Sequence, residues 1–521
     1  MPVSDPLPES PSPAAAAALL PPVWLLVVMQ AAVAAASLVV EIVAGRMLAP
    51  YLGMSLYTWT AVIAVVLAGF SAGHWAGGLI AERPAPRALA LTGWSMVGAA
   101  LTTAGAVFVL RWGAGLLLPH ISDPLAAIAV LTALVFFLPS FFAGIPAPVL
   151  AKVAVAARPQ GAGRALGAIF AAGALGAIAG TLLAGFLFIS WLGSVGTLAT
   201  VTAVYGLLAL AAFAAAGQAR RAFGTTAAMA AGLLLPLGIA GLGLAQPDPC
   251  TRESDYFCIR VLDASAEVGE PARLMVLDHL GHGISVEHAP QRMVTPHGTM
   301  LDGLARARMG ARPFSAFFIG GGSYTVPRAW DVAEIGATVT VAEIDPAVTE
   351  TAVSDFWFDP AGARILHDDA RRALGNAATT YDVVIGDAFT DIAVPAHLVT
   401  REFFELIRAR LNPGGVYLMN VVDFADRLDA LAAIVRTLRA VFPTVEVWAE
   451  ITTPDPHARL VFIVLAADTP SGFSQITGAP PDLLPAGRLS PGAVDALVAR
   501  RDPPILTDDY APIDRLMGPL D

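Results

Sequence analysis

The feature that most constrains this chain is a change of character near residue 246. Up to about Ala245 the sequence is a succession of long apolar runs; after Gln246, Asp, Glu and Arg recur as they do in a soluble domain. Seven runs, at roughly 22–43, 56–80, 88–110, 124–145, 165–190, 195–216 and 225–245, are long enough to cross a bilayer, which takes about 20 apolar residues each. Each is apolar around its full circumference, so none reads as the one-sided helix of a soluble core. Composition agrees: 56% hydrophobic and 14% charged residues, with a mean hydropathy of +0.66, are far from a soluble average. The sequence therefore predicts a multi-pass α-helical membrane domain over 22–245, with the lipid bilayer of the cell (inner) membrane as its partner. Gly69, Gly73 and Gly77 are spaced four apart, as are Gly176 and Gly180, which predicts close helix contacts. Residues 1–21 are rich in Pro, Ser and Ala and lack Lys and Arg, and read as a disordered tail rather than a cleaved signal.

Connections after the even-numbered runs carry Arg83, Arg87, Lys152, Arg158, Arg164, Arg220 and Arg221, while those after odd-numbered runs carry only Arg46 and Arg111. The positive-inside rule places the even connections in the cytoplasm. Seven crossings would then put the domain that follows outside; the side stays open, because the motifs of that domain, which follow, suit the cytoplasm. Glu41 and His74 fall within or at the edge of the first two runs, and ionisable groups there are candidate functional sites. Arg46 is close enough for an interfacial ion pair with Glu41. The two cysteines, Cys250 and Cys258, could close a small loop or stand as unrelated thiols. No Cys/His cluster has zinc spacing, so no metal site is expected.

The soluble half begins with a small antiparallel β region over 250–312, in which 256–290 alternates apolar and polar residues between turns. Strand-like runs and helices then alternate over 313–467, which predicts an α/β domain with a mainly parallel sheet. Within it, Phe314–Ile319 ends in Gly320, Gly321 and Gly322; a helix follows, and the run Thr338–Ala342 ends at Glu343. Strand, glycine turn, helix, strand and acid is the order of a nucleotide-binding unit. The glycines admit the ligand close to the backbone, and an acid about 20 residues on can bind ribose hydroxyls. Asp369 and Asp387 also follow strand-like runs, so three acids converge on the edge where open α/β sheets bind ligands. Each alone could equally be a helix cap. The net charge of −11 argues against nucleic acid as a partner.

The segments GGGSYTVPR, VTVAEID, ILHDDARRAL and YDVVIGDAFTD, with the helix, NPGG turn and strand after them, resemble the polyamine aminopropyltransferases, the spermidine synthases, over about residues 256–465. With apolar runs in front, the whole chain resembles the membrane-fused spermidine-synthase-like proteins. The resemblance implies a class I methyltransferase-like (Rossmann-like) fold. It implies S-adenosylmethionine or its decarboxylated form as a substrate rather than a tightly bound cofactor, a polyamine as second partner, and a possible homo-oligomer. It casts Gly320–Gly322 beside the methionine-derived part of the nucleoside, Glu343 on the ribose, Asp369 on the adenine amino group and Asp387 as the base that deprotonates the attacking amine. Asp391 roughly matches a second acid, His282 stands where a Gln is usual, and Tyr256 matches a tyrosine opening the β region; with Ser323 and Tyr324 these are expected to touch the acceptor or to support residues that do.

The departures lie on the acceptor side. Ser323 replaces an Asp that helps to hold substrate amines, Tyr324 replaces a Gly, and Pro296-His297-Gly298 lacks an expected acid. A diamine carries two positive charges and needs carboxylates at both ends. The pattern suits a different acceptor, or intramolecular attack by the substrate's own amine or carboxylate; either route releases methylthioadenosine. A methyltransferase shares the fold and the glycine turn, and a transporter or sensor binding without turnover is a third reading. Residues 468–521 read as a tail packing over the surface, with Asp508, Asp509 and Asp514 able to cap the crevice.

Overall fold

A computed structural model describes residues 20–121, 123–217, 223–332, 335–389, 394–452, 455, 457–478 and 484–517. They form two compact units that divide at Asp248 and Pro249.

The first unit is helical: α1 (Val23–Leu52), α2 (Leu56–Ala81), α3 (Ala85–Leu117), α4 (Pro124–Gly144), α5 (Pro146–Ala157), α6 (Ala162–Leu183), α7 (Ile189–Ala215) and α8 (Phe223–Leu244). Polar caps start two of them. Ser55 accepts the Thr58 N–H at 3.2 Å, and Asp123 the Ala126 N–H at 2.7 Å, each satisfying an orphan donor of the first turn. Both glycine series are packing faces, as expected. A Cβ at Gly73 would lie 2.2 Å from the Phe141 carbonyl oxygen, and one at Gly176 would lie 2.1 Å from that of Ala31.

These contacts also set directions. Gly176 and Gly180 meet Ala31 and Ala35 in the same order, so α6 runs parallel to α1. Gly69 meets Phe137 and Gly77 meets Ile145, so α2 and α4 are parallel. Gly98 meets Phe142 and Gly113 meets Leu131, so α3 opposes α4. Gly232 meets Trp94 and Gly243 meets Phe108, so α8 runs with α3; Gly206 on Leu233 and Gly243 on Val195 set α7 against α8. With α1 and α2 joined by a tight link at which Gly45 packs on Trp59, the long arms alternate in direction throughout, and α6 and α7 oppose one another.

The expectation of seven separate runs is corrected in one respect. Six described helices are long and apolar enough to cross a membrane, because Pro159–Ala215 joins two of the expected runs into 57 residues. A straight helix of that length would extend about 85 Å, against a hydrocarbon core of about 30 Å. It is not straight: a π-turn at Ala184–Phe188 precedes Gly193, whose φ of 67° and ψ of 175° leave the helical region and let the chain reverse. Glu41 is half-buried in α1, and His74 is exposed in α2 with its ring stacked on Phe70.

The second unit opens with a four-stranded antiparallel sheet in sequence order, β1 (Arg252–Glu253), β2 (Cys258–Asp263), β3 (Ala272–Leu277) and β4 (Leu280–Val286). Cys250 and Cys258 are joined by a disulfide at its first hairpin. The main sheet has nine strands: β5 (Phe314–Ile319), β6 (Ala337–Ala342), β7 (Ala363–Leu366), β8 (Tyr381–Gly386), β9 (Leu411–Phe424), β10 (Thr444–Glu450), β11 (Arg459–Ala467), β12 (Gln475–Thr477) and β13 (Pro485–Arg488). Their order is β12-β13-β10-β11-β9-β8-β5-β6-β7, parallel from β7 to β9 and antiparallel beyond it. This is a class I methyltransferase-like sheet, less parallel than expected because β10 and β11 form a hairpin instead of a helical crossover.

Helices α9 (Pro296–Met309), α10 (Thr325–Val332) and α11 (Pro346–Asp355) belong to the core around Leu301, Trp330 and Val348. Helices α12 (Ala370–Gly375), α13 (Arg401–Arg410) and α14 (Asp429–Arg439) belong to the core around Leu374, Phe404 and Leu431. The segment after 467 is more than a surface tail. It supplies β12, β13 and α15 (Pro491–Arg501), and buries Leu506, Ile513 and Met517 in the second core.

Candidate active site

The carboxyl ends of β5, β6 and β8 meet at the glycine turn. Gly320 has φ of 91°, and a Cβ there would lie 2.6 Å from the Asp387 carbonyl oxygen, so only glycine lets the ends of β5 and β8 approach this closely. The Gly321 N–H donates to Glu343 Oε2 at 2.8 Å, and the Asp345 N–H to Glu343 Oε1 at 2.9 Å. Glu343 is 5% exposed, and burial pushes its carboxyl pKa upward against the pull of those donors. It thereby holds the turn as well as facing the cavity beside it.

Tyr324 takes φ of 54°, a conformation glycine favours, and is fully buried. Its ring stacks on Phe358 at 4.4 Å beneath Gly321, and its hydroxyl shares a 2.7 Å hydrogen bond with Thr349. Expected to touch the acceptor or to support residues that do, it supports the turn from behind.

A cavity of about 80 Å³ is lined by Phe257, Gly320, Gly322, Glu343, Asp369 and Asp387, among others. A second, of about 30 Å³, is lined by His282, Thr295, His297, Ser323, Thr325 and Asp387 on its polar side. His282, Gly320 and Asp387 line both. Asp387 Oδ1 accepts the Asn420 side-chain amide at 2.8 Å, and the Asp387 N–H donates to the Ile319 carbonyl at 3.0 Å. Burial drives the His282 pKa down to about 4 despite the nearby Asp387 carboxylate, so its imidazole is neutral at pH 7.

Of the three strand-end acids, only Asp369 is a helix cap. It accepts the Arg372 N–H at 3.0 Å at the start of α12, and its Oδ2 lies 2.7 Å from His397 Nε2. Partial burial raises its pKa, but these hydrogen bonds outweigh burial and hold it below the usual carboxylate range. Asp345, rather than Glu343, caps α11.

Ser323 is 3% exposed, and its hydroxyl shares a 2.7 Å hydrogen bond with Thr325, which shares another of 2.9 Å with Ser285. Tyr256 is 45% exposed and does not line either cavity, whereas its neighbour Phe257 reaches the first. The turn carrying both is pinned where the Ser254 hydroxyl bonds the Asp345 carboxylate. Asp391 lies outside the described residues. Asp508 is bound to Arg371 by two contacts of 2.6 Å, which hold its pKa down to about 2; it ties the C-terminal segment to α12 instead of facing the cavities.

Sequence reasoning missed Asn420 and His397. Asn420 had a signal, as a lone amide in the apolar strand VYLMNVV; His397, in a loop, had none. Among the described residues no group of three or more His, Cys, Asp or Glu could hold a metal ion.

Residues 315–473 match the spermine/spermidine synthase domain. Among curated proteins, the chain is 32% identical over 129 residues to a probable polyamine aminopropyl transferase of Bifidobacterium longum, covering 25% of this chain and 29% of that protein. It is 32% identical over 143 residues to the polyamine aminopropyltransferase of Vibrio vulnificus, covering 27% and 47%. It is also 31% identical over 159 residues to an N-terminal histidine N-methyltransferase of Emericella nidulans, covering 29% and 27%. The chain thus spans less than half the length of these relatives. Among solved structures, a probable spermidine synthase from Corynebacterium glutamicum aligns with a TM-score of 0.43 and 23% identity, over 49% of this chain and 95% of that one. Residues 315–473 of the second unit are thus similar to the spermine/spermidine synthase domain.

Proposed function

We propose that this domain binds S-adenosylmethionine or its decarboxylated form in the cavity of Glu343 and Asp369, and releases methylthioadenosine. The observation that carries the reading is the position of Asp387 where both cavities meet, oriented by Asn420. An amine in the second cavity attacks the carbon next to the sulfonium. The new N–C bond forms as the C–S bond breaks, its electron pair neutralises sulfur, and Asp387 takes the proton that the amine must lose. Neutral His282 and the neighbouring hydroxyls position the amine. With the second cavity empty, the substrate's own amine or carboxylate could attack instead, releasing the same nucleoside and a small ring.

A methyltransferase reading rests on the histidine N-methyltransferase relative and on the shared sheet. Product analysis separates the readings. Purified full-length protein is incubated with each nucleoside, with and without an amine. Methylthioadenosine supports the proposal, S-adenosylhomocysteine supports the methyltransferase, and nucleoside binding with no turnover supports a sensor or transporter.

We also propose that the first unit spans a cell membrane. The alternation of its arms, with the reversal at Gly193, supports an odd number of crossings. With Arg83, Arg87, Arg158 and Arg164 at cytoplasmic turns, the chain after α8 then enters the opposite compartment. The Cys250–Cys258 disulfide is compatible with such an oxidising location.

A further inference from the structure

The two cavities differ sharply in charge. The first gathers Glu343, Asp368 and Asp369, with Asp387 at its border. Among the described residues the second has Asp387 as its only lining carboxylate, and that group sits at the shared end. Away from it the polar wall of described residues is made of hydroxyls and the imidazoles of His282 and His297. The Ser323–Thr325–Ser285 hydroxyls bond one another, His282 is uncharged, and Gly298 contributes no side chain. The remaining wall is apolar, from Leu301, Phe318, Val326 and Ile385. The acid nearest in sequence on α9, Asp302, is turned elsewhere: its Oδ1 accepts the Trp330 indole N–H at 2.7 Å, and its Oδ2 is paired with Arg306.

On the transferase reading above, we propose that this cavity accepts an amine with a single basic nitrogen and an uncharged tail, and discriminates against diamines. The attacking nitrogen gives one proton to Asp387 and then takes over the sulfonium's charge as it bonds to carbon, so a monoamine carries its only charge at the Asp387 end of the cavity. A diamine would place its second ammonium among hydroxyls and apolar side chains, with no carboxylate among the described residues to meet it. A buried ion without a partner costs several kcal/mol, which at about 1.4 kcal/mol per decade is a loss of more than tenfold. The hydroxyl ladder and apolar wall suit an alkyl or hydroxyalkyl tail.

The test compares butylamine, 4-aminobutanol and putrescine as acceptors for the full-length protein, with decarboxylated S-adenosylmethionine as donor, at matched concentrations of free base. Methylthioadenosine and the alkylated amine are both quantified by mass spectrometry. The expected result is a kcat/KM for either monoamine at least tenfold above that for putrescine. Thr295→Asp restores a carboxylate to the wall, at the residue preceding α9, where an acid is a favoured helix cap. It should shift the ratio towards putrescine by about tenfold, chiefly through KM. Putrescine equalling or exceeding the monoamines in the unaltered protein would overturn the inference. Methylthioadenosine formed at the same rate without any amine, or no turnover at all, would overturn amine transfer itself, and is recognised by the absence of alkylated product with every acceptor.

Discussion

Asn420, in the middle of β9, donates its side-chain amide to Oδ1 of Asp387, in the loop after β8, at 2.8 Å. The contact links two adjacent parallel strands at the point where both cavities open. Asn420 is 4% exposed, so the bond is made away from competing water and fixes the carboxylate's direction.

Asp387→Asn should lower methylthioadenosine formation by about 10²–10⁴-fold, the usual contribution of a positioned base, while nucleoside affinity changes little. Asn420→Ala should reduce kcat by about tenfold, the effect of losing about 1.4 kcal/mol of orientation, and should shift the acid limb of the pH–rate profile. A purely structural role for Asn420 would lower stability and leave that limb in place. Steady-state kinetics across pH, with nucleoside binding by calorimetry, reads both variants.

Asp423 offers a test by pH. It is 1% exposed, and burial pushes its pKa up to about 6 although the Phe424 and Leu431 N–H groups donate to it. An acid whose folded pKa lies above its unfolded value stabilises the fold below the unfolded pKa, near 4, and that stability is lost as pH rises through about 6. Denaturant unfolding of the full chain in detergent should show a decline of roughly 2–3 kcal/mol over this window, at about 1.36 kcal/mol per pKa unit. In Asp423→Asn the decline should shrink by this amount, leaving the part contributed by other buried acids such as Glu343. A wild-type profile flat between pH 4 and 6 would count against the assignment.

Gly176→Val should damage the helical unit. Its Cβ would lie 2.1 Å from the Ala31 carbonyl oxygen, backbone that cannot turn aside, and overpacking of this kind costs about 1–3 kcal/mol. The same change at Gly185, where nothing lies within 4 Å of a Cβ, should be tolerated. Thermal unfolding of the two variants in detergent distinguishes a packing contact from a general intolerance of the helix.

The Cys250–Cys258 disulfide closes a loop with a sequence separation of 8 and should contribute about 2–3 kcal/mol by restricting the unfolded chain. In intact cells, acid-quenched alkylation should find both thiols blocked until a reductant is added. Alkylation of both without reductant would place this unit in a reducing compartment and overturn the proposed topology.

The sequence by itself determined what depends on local pattern. Apolar runs without a polar face mark the long apolar helices of the first unit, and the glycine turn between two β-type runs marks the sheet edge that carries both cavities. Glu343, Asp369 and Asp387 follow their strands closely enough for the βα rhythm to place all three at that edge. Only the tertiary structure decided which groups surround them. Asn420 reaches Asp387 across 33 residues and His397 reaches Asp369 across 28, and no local period encodes such distances. Tyr324 turns under Gly321 because its backbone takes the left-handed conformation, and Tyr256 is left outside because Ser254 pins its turn to Asp345. The break at Gly193 falls in the gap the sequence leaves between the runs at 165–190 and 195–216, but its π-turn and the opposed packing of α6 and α7 belong to the tertiary structure. Strand and helix periodicities repeat over a few residues, whereas a site is assembled from contacts between segments far apart in the chain, and those contacts exist only once the sheet and the helical bundle have formed.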